Sequence, residues 1–325
     1  MPSSHYKVGG HIFCVAFQSE KLAAECLPLM ENYRPFALEP VAGAASSDGC
    51  DVAGSEIFEL KVVAGTTGAE GGLYLLGYSE DLRQEEESQT IICGHTSDNK
   101  SVFEFLLDGV PAGTLVCGEG YRFAELFLAE KFIRFSIDNA LMILYALATS
   151  KLQTVLFHGA VVSKDGFGYM FLGKSGTGKS THARLWLKNI SGTELVNDDN
   201  PVVRLNSREG EARVTIYGSP WSGKTPCYKN LEMPLGAVVQ LSQAPYNKIE
   251  RLGGLQAYVA LVPSISGKRW DRNLADGLHE TENALAMTVP AFHLECLPDA
   301  AAAELCCGTV AACGSRESSK GESCR

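Results

Sequence analysis

The stretch Gly173-Lys174-Ser175-Gly176-Thr177-Gly178-Lys179-Ser180 carries the most specific chemistry in the chain. It fits G-x-x-x-x-G-K-[ST], the pattern of a phosphate-binding loop. Glycines permit backbone conformations in which successive N–H groups turn inward. Those groups, with the positive end of a following helix, hold phosphate oxygens. In such a loop Lys179 reaches the β- and γ-phosphates and the Ser180 hydroxyl ligates Mg²⁺. The expected phosphate cradle runs from Gly173 to Thr181. The third glycine of G-x-G-x-x-G is absent, so this is not a dinucleotide fingerprint. The competing reading is a glycine-rich turn that matches by chance. Against it stand the flanks: Phe167–Leu172 (FGYMFL) reads as a buried strand and Thr181–Asn189 (THARLWLKN) as a helix.

A second set of candidates is acidic. Asp198 and Asp199 follow the apolar pair Leu195-Val196, downstream of Lys179. Two adjacent carboxylates can divide their work: one binds or orients the metal held by Ser180, and the other takes a proton from an attacking hydroxyl. The alternative is a capped turn, because Asn-Asp-Asp-Asn-Pro is rich in turn formers. His158, followed by glycine in Phe157-His158-Gly159, reads equally as a phosphate or proton-transfer residue and as a core histidine. Gly218–Lys224 (GSPWSGK) is another glycine-containing loop at a strand end, where ligands gather in α/β sheets. There Lys224 could neutralise phosphate and Trp221 could line a substrate pocket, or the loop is structural. Arg184 reads as a surface arginine, and Arg251, His279 and His293 have no partner that the sequence names.

The elements that must position these residues follow from periodicity. Up to about residue 125, short runs alternate apolar with polar or small residues, as in a half-buried antiparallel sheet. They are His11–Phe17, Ile57–Val63, Gly72–Gly77, Thr90–Cys93, Val102–Leu107 and Thr114–Cys117, with Gly43–Gly54 and the acidic run Glu85–Glu87 as loops. Glu125–Ser150 reads as one long helix with a wide apolar surface. Thr154–Ser163 reads as a strand and Lys164-Asp165-Gly166 as a turn, so the loop's strand has an antiparallel partner before it. Strands are expected within 193–204, at Arg213–Tyr217, Leu235–Leu241 and Val289–Leu297. Helices are expected at Leu255–Val262, Trp270–Met287 and Asp299–Cys306, the last capped by Asp299. The predicted organisation is a β-rich N-terminal domain (1–125), an α/β phosphate-loop domain with a mixed sheet (126–310) and a disordered tail (311–325).

Composition bounds the partners. The chain has 325 residues, enough for two domains. Its net charge of −10 supplies no basic footprint for nucleic acid. The longest apolar run, Ala140–Ala148, is too short to span a bilayer. The N-terminus lacks the pattern of a signal peptide, so the eleven cysteines read as reduced thiols of a cytoplasmic protein. Cys306, Cys307, Cys313 and Cys324 crowd the C-terminus, as a loose tail or, alternatively, a metal site.

Together, H-G-A-x-V at His158, the hairpin, G-K-S-G-T-G-K-S-T and N-D-D at Asn197 resemble the C-terminal domain of the HPr kinase/phosphorylase family. More distantly they resemble ATP-dependent phosphoenolpyruvate carboxykinase. The resemblance covers about residues 150–240, and more weakly extends to about 310. It implies a nucleotide-binding α/β fold whose phosphate loop follows an antiparallel strand. It also implies ATP and Mg²⁺ as cofactors and transfer of the γ-phosphoryl group to a hydroxyl. Carried over by position, Lys179 and Ser180 hold phosphate and metal, Asp198 is the general base supported by Asp199, and His158 contacts the transferred phosphate. Tyr217–Trp221 stands where HPr kinases carry an acidic residue and arginine leading into Gly-Leu-Gly. The acceptor expected is therefore a hydroxyl-bearing small molecule, peptide or protein. Such enzymes often assemble, so a homo-oligomer is expected as well. The alternatives are a non-catalytic ATP-binding regulatory or peptide-maturation partner and carboxykinase-type chemistry.

Overall fold

The computed structural model of the chain describes residues 1–39, 56–65, 78–208, 211–223 and 225–320, and their side chains except those of 207, 208, 211 and 312–320. The expected strand Gly72–Gly77 and loop Gly43–Gly54 lie outside these residues. Contacts divide the chain into two units, 1–148 and 149–325. Both contain a mixed sheet with helices, which makes the architecture α/β.

In the first unit, β1 (Ser3–Val8) and β2 (His11–Phe17) form a hairpin. The short helix α1 (Glu20–Cys26) follows, with the Ser19 hydroxyl accepting the Leu22 N–H. Then come β3 (Glu59–Ala64), β4 (Tyr78–Glu86), β5 (Gln89–Thr96), β6 (Ser101–Leu107), β7 (Val110–Cys117) and β8 (Phe123–Leu128). The sheet order is β1-β2-β3-β8-β7-β6-β5-β4. The sheet is not purely antiparallel as the alternation suggested: β3 runs parallel to both β2 and β8. Alternation tells which face is buried, not which way a neighbour runs.

Two expectations fail here for a physical reason. The helix Glu125–Ser150 is in fact the end of β8 followed by α2 (Ile133–Thr149). In β8, Ala124, Leu126 and Leu128 are buried with period two, and β3 and β7 satisfy its backbone on both sides. Pairing on two edges overrides a helix propensity that the residues alone would allow. The acidic run is also not a loop. Glu85 and Glu86 end β4, an exposed edge strand, and only Glu87 turns, at φ 52°. Charge on an edge strand discourages pairing with another chain.

The second unit holds the candidate site. Its strands are β9 (Thr154–Leu156), β10 (Ala160–Lys164), β11 (Phe167–Leu172), β12 (Glu194–Asn197), β13 (Val202–Arg208), β14 (Glu211–Tyr217), β15 (Glu232–Gln243), β16 (Lys248–Leu252) and β17 (Ala291–Cys296). The helices are α3 (Lys179–Asn189), α4 (Gly254–Leu261), α5 (Arg272–Thr288) and α6 (Ala300–Lys320). The expected Thr154–Ser163 strand is broken at Phe157-His158-Gly159 into β9 and β10. β10 and β11 form the expected hairpin, turning at Asp165 (φ 51°) and Gly166 (φ 81°). Asp299 caps α6, its Oδ1 accepting the Ala302 N–H at 2.8 Å.

Three layers result. On one face of the sheet Ala183 and Trp186 of α3 and Cys306 and Val310 of α6 pack on Tyr169, Phe171, Val239 and Leu294. On the other, Ala257 and Leu261 of α4 and Leu278 and Leu285 of α5 pack on Val161, Met170, Val196 and Val238. Each large side chain buried in this way contributes about 1.5–3 kcal/mol. Cys306 and Cys307, read from sequence as part of a cysteine-rich tail, are core residues of α6.

Candidate functional site

Register, not sequence proximity, assembles the site. β10 runs antiparallel to both β11 and β12, so β11 and β12 end at the edge where β10 begins. Ala160 pairs with Phe171, and Val161 with Asn197. Hence three expected features meet at that edge: the loop after β11, Asp198-Asp199 after β12, and His158 just before β10. β15 and β17 run parallel to β11 and end at the same edge.

The glycine loop after β11 has the conformation its glycines allow. Gly173 and Gly178 stand at φ 153° and 109°, in the region that disfavours side chains. Gly178 precedes α3 as its N-cap and supplies no side-chain cap to the first helical N–H groups. The Lys179 side chain folds back over the loop and donates to the carbonyls of Gly173 (2.9 Å) and Lys174 (3.4 Å). The far side is pinned by Gln243, whose amide donates to the Gly176 carbonyl at 3.3 Å. Lys174, Ser175 and Thr181 are exposed, and Thr177 and Ser180 half-buried. Arg184 lies against its own helix, donating to the Ser180 carbonyl.

The acidic turn is held by residues that the spacing argument passed over. Asn197, fully buried, donates to the Ser219 hydroxyl (3.0 Å) and the Trp221 carbonyl (3.2 Å), and its Oδ1 accepts the Asp199 N–H at 2.8 Å. Ser219 in turn donates to the Asn200 carbonyl at 2.6 Å. Thus Gly218–Gly223 serves as a brace under the turn. Trp221 is buried within it, and Lys224 lies outside the described residues. Asn197 and Ser219 were visible as N-D-D and G-S-P-W; what was missing was the knowledge that the two loops touch.

His158 and the carboxylates then fall into distinct settings. The His158 Nδ1 lies 3.0 Å from the Asp199 Oδ1, with both side chains partly open to solvent. Its backbone N–H donates to the Ser264 carbonyl, and the Gly159 N–H donates to the Asp199 carbonyl. A Cβ on Gly159 would come within 2.9 Å of the Leu172 Cδ2 and 3.0 Å of the Phe171 carbonyl, so a side chain here would press on the end of β11. Asp198 differs: its Oδ1 is buried and has no hydrogen-bond partner among the described residues. A buried oxygen left in this state costs about 1–3 kcal/mol.

On the opposite flank of the loop is a cavity of about 550 Å³, lined by Gly178, Thr181, Leu185, Leu241, Pro245 and Leu297 among others. His182 lies at its wall. Burial lowers its pKa to about 4, and its Nε2 accepts the Trp186 indole N–H at 3.1 Å. It is therefore neutral near pH 7. His293, with no partner evident from sequence, hydrogen-bonds the Ser242 hydroxyl at 2.8 Å.

Among the described residues no helix is long and apolar enough to cross a membrane. The model of the family described as SynChlorMet cassette protein ScmC matches residues 126–297, just over half of the chain. Among solved structures, the Hpr(Ser) kinase/phosphatase from Coxiella burnetii is similar at 15% identity. That match covers 51% of this chain and 93% of the other, with a TM-score of 0.28. No curated protein matches the chain.

Proposed function

The chain belongs to the SynChlorMet cassette protein ScmC family, and we propose that it is an ATP-dependent, Mg²⁺-requiring kinase that phosphorylates a hydroxyl of a small molecule, peptide or protein. One observation carries the reading. It is supported by the sheet registers, which bring together at one edge the glycine loop after β11, a His158–Asp199 pair and the Asp198 Oδ1, buried and without a hydrogen-bond partner among the described residues.

In this reading the loop N–H groups and Lys179 hold the β- and γ-phosphates, Lys179 exchanging the carbonyls of Gly173 and Lys174 for phosphate oxygens. The cavity beside α3 takes the nucleoside. A serine hydroxyl and carboxylates are the hard oxygen donors that suit Mg²⁺, and Ser180 and Asp199 would hold it. When bound, that ion neutralises charge on the β- and γ-oxygens. Asp198 takes the proton of the acceptor hydroxyl as its oxygen bonds to the γ-phosphorus. The bond from that phosphorus to the β,γ-bridging oxygen breaks, and ADP leaves. His158 steadies the transferred group from the Asp199 side. Most of the acceleration comes from positioning and charge neutralisation.

Calorimetry with Mg²⁺ and ATP, together with ADP release with water or an added alcohol as acceptor, tests this reading. Wild type should bind and turn over. Lys179→Ala should bind about ten-fold or more weakly, and Asp198→Asn should bind ATP normally and release no ADP. Binding without turnover in wild type would make the chain a non-catalytic ATP-binding regulatory or peptide-maturation partner. Absence of ATP binding would end both readings.

A further inference from the structure

A second constellation lies in the first unit and takes no part in the reading above. His5 of β1 and Cys14 of β2 are direct partners in the antiparallel register, so their side chains leave the same face of the sheet. Glu56 approaches them from the segment that leads into β3. That segment is tied to β2 by the Ile57 N–H on the Ile12 carbonyl (2.8 Å) and the Cys14 N–H on the Phe58 carbonyl (3.0 Å). One donor atom from each of the three side chains lies within 4.8 Å of the other two. The His5 Nε2 and Glu56 Oε1 are already 2.9 Å apart.

We propose that His5, Cys14 and Glu56 form a zinc site. The donor set is the first argument. Thiolate, imidazole and carboxylate together suit Zn²⁺, whereas Mg²⁺ and Ca²⁺ take oxygen ligands. Geometry is the second. Donors around a tetrahedral zinc ion stand about 3.3–3.8 Å apart, given bonds of about 2.0–2.3 Å. The longer separations need therefore close by at most about 1.5 Å, and the His5–Glu56 pair open slightly, within the reach of side-chain rotation. Charge is the third. A thiolate and a carboxylate balance the ion's two positive charges, and a neutral complex is tolerated where Cys14 is only 5% exposed. Access is the fourth. The His5 and Glu56 side chains are 19% and 32% exposed, so the ion reaches the site from solvent and water completes its coordination. The ion would cross-link β1, β2 and the start of β3. Binding would release the thiol proton, so affinity rises with pH.

The test uses the full-length chain, freed of metal by a chelator and then titrated with Zn²⁺, and in parallel with Co²⁺ as a spectroscopic probe. Wild type should take up one zinc equivalent that Cys14→Ala, His5→Gln and Glu56→Gln each weaken about ten-fold or more. Its Co²⁺ form should show thiolate-to-metal charge-transfer absorption that is absent in Cys14→Ala and kept in Cys296→Ser, a control for the other thiols. Glu56→Gln alters a partly exposed side chain in a connecting segment, so it decides the matter should the buried Cys14 variant fail to fold. Failure of wild type to bind zinc would overturn the proposal. So would equal stoichiometry and equal Co²⁺ spectra in wild type and the three variants, leaving an ordinary His5–Glu56 ion pair beside a buried thiol. ATP binding is not a readout here, so the outcome is independent of the kinase reading.

Discussion

Two carboxylates in the second unit, Glu282 with its side chain buried and half-buried Asp198, are treated in opposite ways. The Glu282 side chain on α5 is completely buried and fully engaged. Arg269 donates to its Oε1, the Tyr258 hydroxyl donates to its Oε2 at 3.2 Å, and the His279 Nδ1 stands 3.1 Å from Oε2. Tyr258 registers that company: burial, and then the adjoining Glu282 charge, push its phenol pKa upward. Arg269 also ties down the chain ahead of α5, donating to the carbonyls of Val262 and Ile265. Asp198, by contrast, keeps one oxygen buried with no partner among the described residues. A fold removes the cost of a buried charge by surrounding it with donors. Where it has done so the residue is structural; where it has not, as at the Asp198 Oδ1, the proposed reading gives the oxygen a partner in the acceptor hydroxyl.

The comparison is broken most directly at Glu282. Glu282→Ala leaves Arg269, whose side chain is 32% exposed, without its carboxylate; losing one partner of a fully buried pair costs about 3–5 kcal/mol, and solvent at Arg269 brings the expected loss to about 2–3 kcal/mol. The readout is clean, because the tryptophans Trp186, Trp221 and Trp270 all lie in the second unit. Urea unfolding followed by tryptophan fluorescence therefore reports that unit alone. A loss under about 1 kcal/mol would show that the Glu282 network is not what holds α4 and α5 together.

Asn197 comes next. Asn197→Ala removes two donated bonds and one accepted bond from a fully buried site. The expected loss is about 2–3 kcal/mol, with Ser219 left short of a partner. Because the same bonds brace the acidic turn, ADP release should fall more than ATP affinity does. Equal falls in both would mean that the turn does not act on the transfer step.

The order of legibility follows from range. Local signals were read correctly: the strand Phe167–Leu172 and the helix α3 that flank the glycine loop, the Lys164–Gly166 turn, and the Asp299 cap all depend on residues close in sequence. The acid pair could be found, but its two members could not be told apart. That distinction depends on His158 meeting Asp199 and not Asp198, a contact set by strand register. The brace from Ser219 to Asn197 and the Arg269–Glu282 network join segments far apart in the chain, and neither has a spacing pattern. The error at Glu125–Ser150 is of the same kind, since partners from β3 and β7 made a strand of Phe123–Leu128. The cavity beside α3 was not legible at all, because its walls come from three separate segments.

Tyr258→Phe sharpens the comparison at lower cost. It removes one donor from Glu282 and leaves Arg269 and His279 in place, so about 1 kcal/mol should be lost. A loss as large as that of Glu282→Ala would mean that Tyr258, not Arg269, is the main partner.

The smallest effect on stability is expected at Asp198, and its size makes it decisive. Asp198→Asn keeps the shape of the side chain and removes a charge whose Oδ1 has no bond to lose. Unfolding by urea should therefore move by less than about 1 kcal/mol, because the amide leaves a polar atom at the same position. ADP release should vanish while ATP affinity stays near that of wild type, because Lys179 and the loop amides are untouched. A large destabilisation would place Asp198 with Glu282, as a structural carboxylate with a partner of its own. Unchanged stability with unchanged turnover would leave the buried oxygen without a role in transfer and move the base elsewhere on the same edge, with Asp199 beside His158 the next to test.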